Sequence, residues 1–266
     1  MSGEAVAFAL GAAVVHALWN LLLAGSRDPR AAGAVALAMG AVFALPFALL
    51  RWQVDSAALP WIAISIVFEL AYFMLLTRAY DLSELDVVYP VARGSAPVLV
   101  LIVGGAPSAA AALGVLAVAA GVLAVRGVSR PRDGRELVLA LGVGAMIAGY
   151  TLADSHGVKH AHAVTYLELV LAPTALVMLV VESHSRALRP QVNGRNAASG
   201  AGMMLAYGLV LAALSLASAA AVAALRETSV VFAALLAAVA GRRAPDRGRL
   251  AGAVLVAAGV AVISLS

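Results

Sequence analysis

Apolar blocks of about twenty residues, separated by short runs of Arg, Asp, Pro and Gly, fill the chain from end to end. A helix needs about 20 mostly apolar residues to cross the hydrocarbon core of a bilayer, and each block reads as one such span. Ten are predicted, over residues 5–23, 31–50, 58–77, 85–104, 109–125, 137–153, 163–181, 198–216, 219–240 and 249–265. The opening Met1-Ser-Gly-Glu4 lacks the basic stretch of a signal peptide, so the first block is expected to be a retained helix.

Composition strengthens this picture. Of the 266 residues 63% are hydrophobic and only 12% charged, with mean hydropathy +0.98, whereas soluble domains carry about 25% charged residues. Ten spans use up the chain and leave no extramembrane domain. There is no cysteine, which excludes disulfide scaffolds, Cys-ligated metals and thiol nucleophiles. The isoelectric point near 9.8 does not point to nucleic acid, because the basic residues are scattered between apolar blocks. They set orientation instead. Arg27, Arg30, Arg78, Arg126, Arg130, Arg132, Arg135, Arg186, Arg189, Arg195, Arg242, Arg243, Arg247 and Arg249 all fall in or beside the odd-numbered connections, against Arg51 and Lys159 on the other side. The positive-inside rule then expects the odd connections in the cytoplasm and both termini outside.

Sliding one half of the chain past the other shows a repeat. Gly114–Val122 (GVLAVAAGV) faces Gly252–Val260 (GAVLVAAGV), Leu70-Ala71-Tyr72 faces Leu205-Ala206-Tyr207, and Arg93 faces Arg226. Five helices per copy is an odd number, so the second copy enters the bilayer from the opposite side. The expected fold is all-α and integral to the membrane: ten transmembrane helices in two inverted five-helix repeats, residues 1–130 and 131–266.

The order of several short motifs carries a family resemblance over essentially the whole chain. Ala79-Tyr80-Asp81, then Val88-Tyr-Pro-Val-Ala-Arg-Gly94 with Pro97, then Tyr150-Thr151 with Asp154 and Gly157, then Leu225-Arg-Glu-Thr-Ser229 resemble EamA-type proteins of the drug/metabolite transporter superfamily. The resemblance implies a ten-helix basket that moves small metabolites across a bacterial inner membrane, usually with both termini inside, against the charge bias. The chain departs from the family where a Gly-Glu pair often closes the fourth and ninth helices: Ala106 follows Gly105 and Arg242 follows Gly241. Ser108 and Asp246 remain candidate caps for the following helices.

Polar residues inside spans are expensive and therefore informative. Arg93 lies among Tyr89, Pro90, Gly94 and Pro97, where a discontinuous helix is expected. Arg93 and Arg226 are expected to line one central cavity; the competing reading pairs Arg93 with a carboxylate as structural glue. Arg226 and Glu227 are neighbours pointing about 100° apart, which keeps them off a single partner in a regular helix. His16, Trp19 and Asn20 share one helix face, as do Glu69 and Tyr72. Tyr150 occupies the stretch of the sixth span that corresponds to the first-span cluster. Substrate contacts are thus assigned to Arg93, Arg226, Tyr89, Trp19, Asn20, Tyr150 and Tyr72, and coupling to Glu69, Glu227 and His16. Glu69 is singled out for proton exchange because its counterpart in the other repeat is Met204, with neutralisation of Arg93 as the alternative. Glu168 and Asp154 are read as pairing or interfacial acids, Asp154 in the wet loop before Lys159.

His156, His160 and His162 read as loop histidines and no metal site is expected. Asp81, Glu84 and Asp86 lack the paired Asp-x-x-x-Asp repetition of membrane prenyltransferases, and no G-x-S-x-G, Walker loop or HExxH is present. No cofactor is implied. The function expected is secondary transport of a small polar metabolite, anionic or amino-acid-like, by alternating access, with protons as candidate coupling ions. Export of hydrophobic cations is the alternative, and an intramembrane enzyme or lipid-handling scaffold the third reading. The partners are a small-molecule substrate and the bilayer, not nucleic acid, with a monomer expected and a homodimer as the alternative.

Overall fold

The computed structural model describes residues 1–82, 85–126, 134–239 and 246–266. Their helices are α1 (Gly3–Leu23), α2 (Pro29–Leu50), α3 (Leu59–Leu82), α4 (Leu85–Gly104), α5 (Ala109–Arg126), α6 (Gly134–Gly157), α7 (Ala163–Ser183), α8 (Gly194–Leu214), α9 (Ala219–Arg226), α10 (Ser229–Val239) and α11 (Arg247–Leu265). Among the described residues, eight stretches are long and apolar enough to cross a membrane, α9 and α10 counting as one, and two shorter apolar segments, Val88–Gly104 and Ala109–Val125, complete the ten blocks. Glu84, Arg130, Arg132, Arg242 and Arg243, the side chains of Asp81, Asp86 and Arg126, and the expected boundary at 130/131 lie outside the described residues.

Helix starts follow from local side-chain chemistry. Asp28, Ser108, Asn193 and Asp246 each accept a first-turn backbone N–H, at 2.9–3.2 Å, satisfying donors that have no partner within the helix. Ser108 and Asp246 thus act as the caps expected of them.

Small residues let the helices approach closely. Along the α5/α11 crossing, a Cβ at Gly121 would stand 2.8 Å from Gly252 O, and one at Gly259 2.7 Å from Gly114 O, so the backbones touch where a larger residue would hold them apart. These are the glycines of the two matched segments. α1 packs on α8, α6 on α3 and α4, and α2 on α7 and α8.

One face of the bundle carries both termini, with the Met1 ammonium donating to Ser264 O at 3.3 Å. On this face the α2–α3 and α6–α7 connections pair through Asp55 N–H to His160 O (2.8 Å) and His162 N–H to Gln53 O (2.9 Å). On the opposite face the α1–α2 and α7–α8 segments are tied by ion pairs. Buried Glu182 lies 2.9 Å from Arg30 and 3.1 Å from Arg186, and Arg186 reaches Asp28 at 3.0 Å.

The discontinuity lies elsewhere than expected. α4 runs unbroken through Pro90 and Pro97, while the ninth block divides at Glu227–Thr228. There Glu227 N–H bonds Ala224 O (3.0 Å), and Thr228 N–H bonds Leu225 O (3.1 Å), which also accepts from the Thr228 hydroxyl at 2.7 Å. These three-residue bonds tighten the chain and end α9 without a proline.

Candidate functional site

At mid-depth α1, α2, α3, α4, α6, α7, α8 and α9 enclose a cavity of about 100 Å³. Its polar lining comprises His16, Trp19, Glu69, Tyr72, Arg93, Tyr150, Tyr207 and Arg226, set among Phe73, Leu171 and Met203. Glu69 and Tyr72 stand one helical turn apart on α3, and His16 and Trp19 one turn apart on α1, so each pair presents one face to the void.

The break in the ninth block shapes one wall. Glu227, fully buried, sits between two guanidinia: Arg93 Nη1 is 3.2 Å from Oε1, and Arg226 Nε is 3.6 Å from the same oxygen. The regular-helix argument that kept Arg226 and Glu227 off one partner fails here, because α9 has already ended at Arg226. Arg93 is further held by a hydrogen bond to His16 Nε2 and lies over the Tyr89 ring, 5.2 Å from its centroid.

Arg226 is held less completely. Nη1 donates to the Tyr150 hydroxyl at 3.4 Å with the guanidinium 5.7 Å from that ring's centroid, but Nη2 and Nε have no hydrogen-bond acceptor among the described residues. Trp19 Nε1 is likewise buried and unaccepted. Two residues lining one cavity therefore carry donors without acceptors, and buried donors left so cost about 1–3 kcal/mol each.

The facing wall is acidic. Glu69 lines the cavity, and behind Tyr207 lies Asp154, fully buried. Asp154 Oδ1 accepts from Ser65 (2.6 Å) and Tyr166 (3.1 Å), and Oδ2 from Tyr207 (2.5 Å). The expected wet loop is absent: α6 continues to Gly157, carrying Asp154 inside the bundle. Among the described residues, three further candidates stand apart from the cavity wall. Asn20 Nδ2 donates to His16 O at 2.9 Å, Tyr89 packs beneath Arg93 in a smaller pocket, and Glu227 lies behind the two arginines. Glu168 is buried on α7, and its Oε2 has no hydrogen-bond partner among the described residues. His156 stacks on Trp61 at 4.6 Å, and His162 caps α7.

Sequence reasoning missed Asp154 and Tyr207 as parts of the site. The matched tripeptides ending in Tyr72 and Tyr207 held the signal, since they place equivalent tyrosines on α3 and α8, and both line the cavity.

Residues 134–265 match the family model described as the EamA-like transporter family. The second half of the chain belongs to that family. This makes the EamA protein a multi-pass membrane transporter of the drug/metabolite transporter type, with a small molecule and the bilayer as its partners. A solved crystal structure of another protein superposes with TM-score 0.80 at 20% identity, covering 100% of this chain and 98% of the other. At that identity the likeness speaks for the fold. No curated protein sequence matches the chain.

Proposed function

We propose that this EamA protein is a secondary transporter of the bacterial inner membrane that carries a small polar metabolite bearing an anionic group, by alternating access, with Glu69 exchanging protons. The observation that carries the reading is Arg226: a buried guanidinium on a mid-depth cavity with Nη2 unaccepted. Arg93, by contrast, is committed to Glu227 and His16. A carboxylate can take a guanidinium edge through two parallel hydrogen bonds, with Trp19 Nε1 as a further donor and the Tyr72 and Tyr150 rings as stacking surface.

The moving parts are two inverted repeats, residues 1–130 and 131–266. Support comes from contacts that survive exchange of the halves. α1 on α8 corresponds to α6 on α3, and α2 on α7 and α5 on α11 map onto themselves. The ion-paired α1–α2 and α7–α8 segments correspond to the bonded α6–α7 and α2–α3 connections on the other face. An exchange that also swaps faces is a two-fold axis in the membrane plane.

Thermal unfolding of the purified protein against a panel of small carboxylates and their methyl esters tests the reading. A stabilising carboxylate is expected, with no effect from its ester and none on Arg226→Gln, since a ligand of the native state raises stability by mass action. The aromatic wall with Glu69 favours one second reading, export of hydrophobic cations. Stabilisation by lipophilic cations that survives Arg226→Gln and disappears in Glu69→Gln establishes that reading instead.

A further inference from the structure

Tyr150 and Tyr207 are neighbours in the cavity wall, ring centroids 6.3 Å apart, and the groups around them hold their hydroxyls in opposite states. A tyrosine hydroxyl has one proton to give and accepts with its oxygen. Tyr150 Oη already accepts from Arg226 Nη1 at 3.4 Å, so its own proton is what it has left to offer a ligand. Tyr207 is the reverse. It donates to Asp154 Oδ2 at 2.5 Å, and among the described residues nothing donates to its oxygen.

Asp154 fixes this polarity. It is fully buried, and three hydroxyls from three helices donate to it: Ser65 of α3 and Tyr166 of α7 to Oδ1, Tyr207 of α8 to Oδ2. A carboxylate offers acceptors only, so it takes the Tyr207 proton and returns none. The cavity therefore has a donor side and an acceptor side. Arg226 Nη2 and Trp19 Nε1, both buried without acceptors, join the Tyr150 hydroxyl on the first, and Tyr207 Oη supplies the second.

Size narrows the ligand further. The void is about 100 Å³, and benzene, with six non-hydrogen atoms, sits in an engineered cavity of about 150 Å³, so nothing larger than that fits. Phe73, Leu171 and Met203 make the rest of the lining apolar, which suits a short hydrocarbon remainder and not a second charge. We infer that the ligand is a small hydroxycarboxylate of about six non-hydrogen atoms or fewer, its carboxylate on Arg226 and its hydroxyl donating to Tyr207 Oη, and that Asp154 selects for this hydroxyl by holding the Tyr207 proton. Asp154 is thus a positioning residue, acting through Tyr207. A methyl group in place of the hydroxyl leaves the Tyr207 oxygen unpaired, and an oxo group sets acceptor against acceptor; sites built around a substrate hydroxyl reject such analogues.

The inference rests on the anionic-substrate reading above, and the test separates the two. Lactate, pyruvate and isobutyrate share one skeleton of equal size and differ only in the hydroxyl, oxo or methyl group beside the carboxylate. Calorimetric titration of the full-length protein in nanodiscs is expected to show lactate binding about tenfold tighter than either of the others, because only lactate pairs the buried acceptor. Asp154→Asn is expected to reverse the polarity. Its amide oxygen stays where Ser65 and Tyr166 donate, its NH₂ donates to Tyr207 Oη, and the Tyr207 proton turns into the cavity, so pyruvate gains about tenfold on lactate. Tyr207→Phe is expected to bind lactate no better than isobutyrate. Ser65→Ala, which removes a bond to Asp154 and leaves Tyr207 in place, is expected to keep the wild-type order. Equal affinities for the three in the wild-type protein, all abolished by Arg226→Gln, overturn the inference and leave the carboxylate reading standing. A preference that survives Tyr207→Phe or is unchanged in Asp154→Asn does the same, as does failure of all three where a larger carboxylate still binds through Arg226. Loss of the order in Ser65→Ala also overturns it, because the cause is then a loosened Asp154 site. Binding indifferent to Arg226→Gln overturns the parent reading, and the inference with it.

Discussion

Arg93 Nη1 stands 3.2 Å from Glu227 Oε1, joining α4 to the break between α9 and α10. Both side chains are buried, and the pair closes where α9 has stopped accepting regular helical bonds. Proline did not make this break. A carboxylate held by two arginines, and a threonine hydroxyl on Leu225 O, did.

Removing one partner of a buried pair leaves the other charge uncompensated, at about 3–5 kcal/mol. Glu227→Gln is expected to lose stability on that scale, because both Arg93 and Arg226 then lack their shared carboxylate. The double variant Arg93→Met with Glu227→Met is expected to recover more than half of the loss. Unfolding in detergent, treated as a double-mutant cycle, measures it. Additive losses would show that the pair does not hold the break.

At the α2/α8 crossing a Cβ on Gly200 would lie 2.0 Å from Ala36 O. The helices must separate to admit it, so Gly200→Ala is expected to destabilise by about 1–3 kcal/mol or more. Gly33→Ala is the control. Nothing lies within 4 Å of its added methyl, and alanine in a helix interior gains about 0.5–1 kcal/mol over glycine. Melting temperatures of the two variants should move in opposite directions.

The ten blocks were legible because a spanning helix needs length and hydrophobicity, and both are local. Arg93, Arg226, Glu69 and Tyr72 were legible for a related reason: a polar side chain stands out in an apolar run. Asp154 was not, because its place beside Lys159 and three histidines resembles a loop until α6 is known to extend to Gly157. The division of labour between the arginines was also hidden. Repeat matching makes Arg93 and Arg226 equivalent, and only the position of Glu227 tells which guanidinium keeps an edge free.

The clasp between the α1–α2 and α7–α8 segments predicts a pH dependence. Burial pushes the Asp28 carboxyl up, but the Ala31 amide and the Arg186 guanidinium outweigh it and hold the carboxyl below its ordinary value. A group whose value is lower folded than unfolded stabilises the fold above its unfolded value, and that contribution fades as pH falls toward the folded one. Acidification below about pH 4, the ordinary carboxylate range, is expected to weaken the clasp by releasing the Asp28–Arg186 pair. Asp28→Asn is expected to remove this part of the acid sensitivity, measured as the difference in melting temperature between neutral and acidic buffer.

The last expectation concerns which way the protein sits, where charge and resemblance conflict. The arginine-bearing face includes the described Arg27, Arg30, Arg186, Arg189 and Arg195, while the face with the termini has Arg51 and Lys159. Cytoplasmic loops carry the excess of basic residues, and short connections near helix ends count most. Every odd connection here is short and has at least one arginine in it or beside it in sequence, so no single loop decides the bias. The expected topology has both termini outside, against the usual picture for the family. A phosphatase active only outside the cytoplasm, fused after Ser266, is expected to be active, and a fluorescent protein that matures only inside is expected to stay dark. The reverse pair of results would place the arginine-rich face outside and overturn the assignment. Relocating basic residues supplies the causal check: Arg27→Glu with Arg195→Glu, combined with added lysines beside Lys159, is expected to shift the reporters toward a cytoplasmic C-terminus.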